Sequence, residues 1–213
     1  MMDGPVVAVR GEAYREVAPE LARFRVTATA RERNREATLA RLAERAAAVR
    51  VLLDEHDRAI DRRETGELRV RPETNRSGER VVGHHGSVTT TVTMTDFTLL
   101  AELMLRLAEQ EQVEIAGPWW SLRPDSPVYR EARHAAIADA LRRAREYAEA
   151  LGARVTALRE LSDTDEGFGA AGGGAMFARA AGGGPPELEL DPQPQPVHAL
   201  VRARFTISEP VLS

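Results

Sequence analysis

The chain has 213 residues and a mass of 23.4 kDa, with 43% hydrophobic, 29% charged and 5% aromatic residues, enough apolar material for one medium domain or two small ones. It has no cysteine, and all 29 basic residues are arginine, which excludes thiol nucleophiles, disulfides, cysteine-rich zinc sites, Schiff-base amines and a phosphate-loop lysine. The 33 acidic residues bring the formal charge to −4 and the pI to about 5.8, without the basic excess of a nucleic-acid binder.

The start runs directly into Val6-Val7-Ala8-Val9, with no basic segment, apolar stretch and cleavage site of an export signal. No run reaches the roughly 18 apolar residues of a membrane span. The expected compartment is the cytoplasm for the sequence as written, and the periplasm if an upstream signal has been removed.

A weak strand at Val6 to Gly11 precedes the clearest one, Ala22 to Arg31, where Ala22, Phe24, Val26, Ala28 and Ala30 alternate with Arg23, Arg25, Thr27, Thr29 and Arg31. Period two means one buried face and one polar face. A helix over about Arg35 to His56 carries Leu39, Leu42, Ala46, Val49, Leu52 and Leu53. A short strand at Leu68 to Arg71 and a long one at Val81 to Thr95 follow, the latter with Val82, Val88, Val92 and Met94 opposite its threonines. Asp96 is placed to cap a second helix over 97–109. The next strand, Val113 to Leu122, contains Pro118, which predicts a kink or an edge position.

Asp125-Ser126-Pro127 opens the third helix, whose apolar residues Ile137, Ala140, Leu141, Ala144, Tyr147, Ala148 and Leu151 recur at spacings of three and four before Gly152. Its many alanines predict close approach of helix and sheet. Strands at Arg154 to Leu161 and Val197 to Ser208 complete the pattern. The whole predicts an α+β fold: antiparallel β-sheet covered on one face by about three helices, with a loose internal strand-helix-strand repeat. Between the last two strands, residues 163–196 hold eight of the 16 glycines and five of the 12 prolines, so they read as a flexible loop, with Met176-Phe177 as an anchor to the domain or to a neighbouring subunit.

Three stretches together resemble the SIMPL domain family, a bacterial family of largely unknown function. They are Val9-Arg10-Gly11-Glu12-Ala13 with Ala18-Pro19-Glu20-Leu21-Ala22, Val82-Gly83-His84-His85 running through Val88–Asp96, and the alanine-rich segment from Glu131-Ala132-Arg133 to Leu151-Gly152. The chain departs from the family pattern in lacking a visible export signal, in Pro19-Glu20 where Pro-Asp is usual, and in His84 where an aromatic follows the central glycine. The resemblance implies a single SIMPL-like α+β domain over 5–209 and, for some relatives, assembly into ring-like or hollow homo-oligomers. It transfers no catalytic residues.

Several candidate sites stand beside plainer readings. His84 and His85 are adjacent on a strand, so their rings face opposite sides unless a bulge at Gly83 or Gly86 turns them together. As metal ligands they lack partners, and a packed or interface role is the plainer reading. Gly167-Phe168-Gly169-Ala170-Ala171-Gly172 matches a dinucleotide fingerprint in letters but not in context. Asp163 to Gly174 lacks the closing carboxylate of a calcium loop. If the first clear strand and the last are neighbours, Arg23, Arg25, Arg31, Arg202 and Arg204 form one arginine and threonine face. That face is either solvated surface or the lining of an interface or cavity. Trp119 and Trp120 point to opposite faces, one of them a candidate interface residue.

The expected function is therefore a non-enzymatic, self-associating homo-oligomer with a scaffold or stress-related role, with no cofactor, no metal and no nucleic-acid partner. The alternative is an anion- or small-ligand-binding module on the arginine-bearing sheet face. Catalysis would need His84 or His85 within hydrogen-bond reach of a carboxylate.

Overall fold

The computed structural model describes residues 4–163 and 188–211. Along the chain lie β1 (Val6–Val17), β2 (Leu21–Glu32), α1 (Arg35–Glu55), β3 (Ile60–Thr74), β4 (Val81–Met94), α2 (Phe97–Ala108), β5 (Val113–Ser121), α3 (Pro127–Ala150), β6 (Val155–Asp163) and β7 (Gln195–Ile207). Capping sets the helix starts. Asn34 accepts from the Ala37 amide, Asp96 from those of Thr98 and Leu99, and Ser126 from that of Val128, with Pro127 in the first turn. Gly152, at φ +67°, follows α3 in the left-handed region.

The strands form two antiparallel sheets, ordered β1-β7-β6 and β3-β4-β2-β5. The α+β class expected from the sequence is the class observed. The chain divides into two compact units. The first holds β1, α3, β6 and β7; the second, inserted in sequence between β1 and α3, holds β2 to β5 with α1 and α2.

In the second unit the internal repeat becomes geometry. β2-α1-β3 leaves a gap that β4 fills, and β4-α2-β5 leaves one that β2 fills. The result is two interleaved split strand-helix-strand motifs, the plait of ferredoxin-like folds. Its core is large-residue packing: Phe24, Val26, Leu53, Val92, Met94, Leu100, Leu103 and Leu107 are all buried.

The first unit packs differently. The buried stripe of α3 is Ala132, Ala136, Ala140, Ala144 and Ala148, one residue per turn. It rests on Gly11, where an added Cβ would lie 2.1 Å from the Ala136 carbonyl oxygen and 2.6 Å from the Ala140 amide nitrogen. Close approach was expected from the alanines, but the helix face needs correction. Ile137, Tyr147 and Leu151 are exposed, because the alanine stripe, repeating every fourth residue, wins the sheet contact by letting the backbones come nearest.

Other expectations also change. β1 extends to Val17 and β3 runs from Ile60 to Thr74 rather than over four residues. Charged edge strands such as Asp61-Arg62-Arg63-Glu64 do not show the apolar alternation of covered ones. β5 is an edge strand, where Pro118 removes no ladder donor that the sheet needs. Of the predicted loop 163–196, Asp163 closes β6 and Gln195-Pro196 open β7. The fingerprint Gly167–Gly172, most of the calcium-like segment and Met176-Phe177 lie outside the described residues.

Candidate functional site

In the second unit, β2 turns Arg23, Arg25, Thr27, Thr29 and Arg31 away from the helices. Register places Thr93, Thr91, Thr89, Ser87 and His85 of β4 beside them. β3 adds Arg62 opposite Thr93, Glu64 opposite Thr91, Arg69 opposite Ser87 and Arg71 opposite His85. An open arginine and threonine face therefore exists, built by β2, β3 and β4. Arg202 and Arg204 are not part of it: β7 lies in the other sheet, which overturns the single face expected from neighbouring first and last strands.

Acids answer part of this charge. Arg31 Nε lies 2.5 Å from Glu73, Arg62 2.7 Å from Glu64 and Arg69 2.8 Å from Glu67. Arg23 and Arg25 have no carboxylate partner among the described residues. Instead β5 sets Trp119 opposite Arg23, and the Arg25 guanidinium carbon sits 5.5 Å from the Trp119 ring centre, in cation–π range. Trp120 takes the opposite face, packing against the core and edge-on to Phe97 at 4.9 Å.

His84 and His85 do not converge. β4 runs through them in unbroken register with β2, so His85 lies on the open face between Arg31 and Arg71 while His84 faces α1. Thr38 Oγ1 is 3.4 Å from the His84 carbonyl, and His84 Nδ1 is buried without a hydrogen-bond partner among the described residues. Among the described residues neither ring hydrogen-bonds a carboxylate.

In the first unit Arg202 sits between Arg10 and Ser162, and Arg204 lies 3.6 Å from Glu160. Where α3 crosses β1, Asp139 accepts from the Glu12 amide at 3.1 Å and pairs with Arg142 and Arg143, while Arg143 also reaches Glu12 at 3.1 Å. Burial alone would raise the Asp139 pKa, but the Glu12 amide and the two guanidinium groups outweigh it and hold the carboxyl below its ordinary range. The Tyr14 phenol is raised by its hydrogen bond to Glu16. Between α3 and β6 an apolar groove of about 330 Å³ is lined by Ile137, Leu141, Val155, Leu158, Leu161 and Phe205.

The model of the SIMPL family, a protein of unknown function (DUF541), matches residues 7–205. The chain belongs to the SIMPL family. No curated protein matches it. Among solved structures, one described as a candidate amidohydrolase/peptidase from Burkholderia cenocepacia is similar at 18% identity and a TM-score of 0.34, over 50% of this chain and 29% of that one. The SIMPL chain thus spans under a third of that protein, and so loose a likeness carries no functional argument. No helix among the described residues is long and apolar enough to cross a membrane.

Sequence reasoning passed over Leu158 and Leu161 of this SIMPL chain, treating their strand as minor. A signal was present: two leucines enclosing an Arg-Glu pair, Leu158-Arg159-Glu160-Leu161. It also passed over Arg62, Arg69 and Arg71 as members of the polar face: the expected strand covered only Leu68 to Arg71, and its place beside β4 is set by long-range pairing.

Proposed function

We propose that this SIMPL chain is a non-enzymatic module that works by self-association, as a scaffold or protective component. The observation supporting this most directly is the apolar rim of the first unit. Leu158 is 54% exposed, Leu161 45% and Ile137 38%, contiguous around one groove. Contiguous exposed apolar side chains, unlike scattered ones, mark interaction surfaces. Light scattering after size exclusion is the test. The expected result is a mass at least twice 23.4 kDa at micromolar concentration, and a clean monomer overturns the reading.

A second reading, anion binding, is favoured by Arg23 and Arg25 beside Trp119. Two guanidinium groups without acidic partners among the described residues and an aromatic ring suit a flat or phosphorylated anion. Thermal shifts with anionic ligands are expected to vanish in Arg25→Ala and persist in Arg204→Ala, which lies in the other sheet. Equal loss in both variants contradicts it.

A further inference from the structure

We propose that β6 is the seat of self-association. Two copies would pair their β6 edges antiparallel about a two-fold axis passing between Arg159 and Glu160, joining two three-stranded sheets into one of six strands. This rests on the self-association reading and names its partner: a second copy of this chain.

An edge strand carries a row of backbone donors and acceptors with no ladder on one side, and proteins guard such edges with charge, proline or bulges. The second sheet is guarded that way, by Asp61-Arg62-Arg63-Glu64 on β3 and by Pro118 on β5. Among the described residues β6 is also an edge; it carries bulges and the charged pair Arg159-Glu160, but unlike the other edges it adds two exposed leucines, Leu158 and Leu161, beside that pair.

The second of the two bulges in β6 decides the register. β6 has one residue more than β7 between Leu158, which faces Phe205, and Glu160, which faces Arg204; Leu161 then faces Ala203. Phe205 and Ala203 both point to the α3 side. Two leucines three residues apart therefore share one face, which a regular strand forbids. Arg159 and Glu160 lie between them on the other side, where Arg159 Nε donates to Thr206 Oγ1 at 2.8 Å and Glu160 meets Arg204.

Reversed by a two-fold axis, Leu-Arg-Glu-Leu reads as its own complement. Leu158 falls opposite Leu161 of the second copy, and Arg159 opposite Glu160, twice over. Without the bulge the same register would set residues of opposite faces against each other. Self-complementarity of one patch is the requirement of a two-fold interface, and here apolar contact, charge and pleat meet it in one register. The paired leucines would also cover the groove beside Ile137 and Leu141.

The test is charge reversal in the full chain. Arg159→Glu places acid against acid in both halves, and Glu160→Arg places base against base. Each is expected to weaken association about tenfold or more. The double variant R159E/E160R restores opposite charges and is expected to return to within about threefold of the native constant, as a double-mutant cycle requires. A native assembly that both single variants leave intact overturns the β6 interface while self-association stands. Weakening without rescue in the double variant overturns the two-fold register, and a monomeric native chain overturns the parent reading itself. Because the chain has no cysteine, a single spin label at Ala157→Cys gives an independent measure that does not depend on charge. The proposed register sets the two labelled Cα atoms about 14 Å apart, four ladder steps along the bulged strand and one strand spacing across, and a clearly longer distance overturns it.

Discussion

The two units solve the same problem, a sheet covered on one face, with opposite materials. In the second, α1 and α2 are held off the sheet by Phe24, Leu53, Met94, Leu103 and Leu107, and stability comes from the area those side chains remove from water. In the first, α3 lies against Gly11 through a stripe of alanines, with the backbones in close approach there and Val9, Val197, Val201 and Phe205 filling the core beside that contact. One interface is vulnerable to atoms removed, the other to atoms added.

The largest effect expected from this contrast is at Gly11. A Cβ there meets helix backbone at 2.1 and 2.6 Å, which no side-chain rotation relieves. Gly11→Val is therefore expected to unfold the first unit, seen as loss of amide-exchange protection in α3 and β1. Gly11→Ala is expected to cost upwards of about 3 kcal/mol, the top of the overpacking range, in urea unfolding. Next comes Leu103→Ala in the second unit, fully buried, at about 3 kcal/mol for the lost burial and the cavity left behind.

Gly86→Ala makes the sharpest comparison with Gly11. Its Cβ would meet Thr38 Cγ2 at 3.0 Å and Leu42 Cδ2 at 3.2 Å, which are side-chain ends that can give way. A cost near 1 kcal/mol is expected; a cost equal to that of Gly11→Ala would erase the distinction between the two interfaces.

The smallest effect concerns the polar fastening of α3. Because Asp139 is held below the ordinary carboxylate range, its contribution is complete above the unfolded pKa of about 3.9 and is lost as pH falls through the lower folded value. Asp139→Asn is expected to be less stable than the native chain at pH 7, with the gap in urea midpoint closing below about pH 4. A gap that stays constant into acid would mean that the carboxylate charge contributes nothing.

Much of this was legible because it is local. The alternation in β2, the caps Asp96 and Ser126, and the alanine spacing of α3 all report on residues within a few positions of one another. The candidate site was legible only in part, because strand neighbours are set by long-range pairing. The alternation in β2 and β7 shows that each has a polar face, and nothing local says that Arg23 and Arg204 belong to different sheets. Trp119 and Trp120 could be assigned to opposite faces from adjacency, but the stacking of Arg25 on Trp119 depends on how β5 registers against β2. The shared face of Leu158 and Leu161 was hidden because it requires a bulge that appears only against β7.

The sheet order of the first unit has a consequence for the newborn chain. Among the described residues β1 has a single strand neighbour, β7, with Val6 set against Thr206 and Val17 against Gln195. At a synthesis rate of roughly 5–20 residues per second, β1 waits about 10–40 s for its partner. The second unit has all its strands well before then. The plait is thus free to close during translation, while the parts of β1 and α3 that pack on β7 stay uncovered until that strand arrives, the interval in which a chaperone or a neighbouring nascent copy has its opportunity.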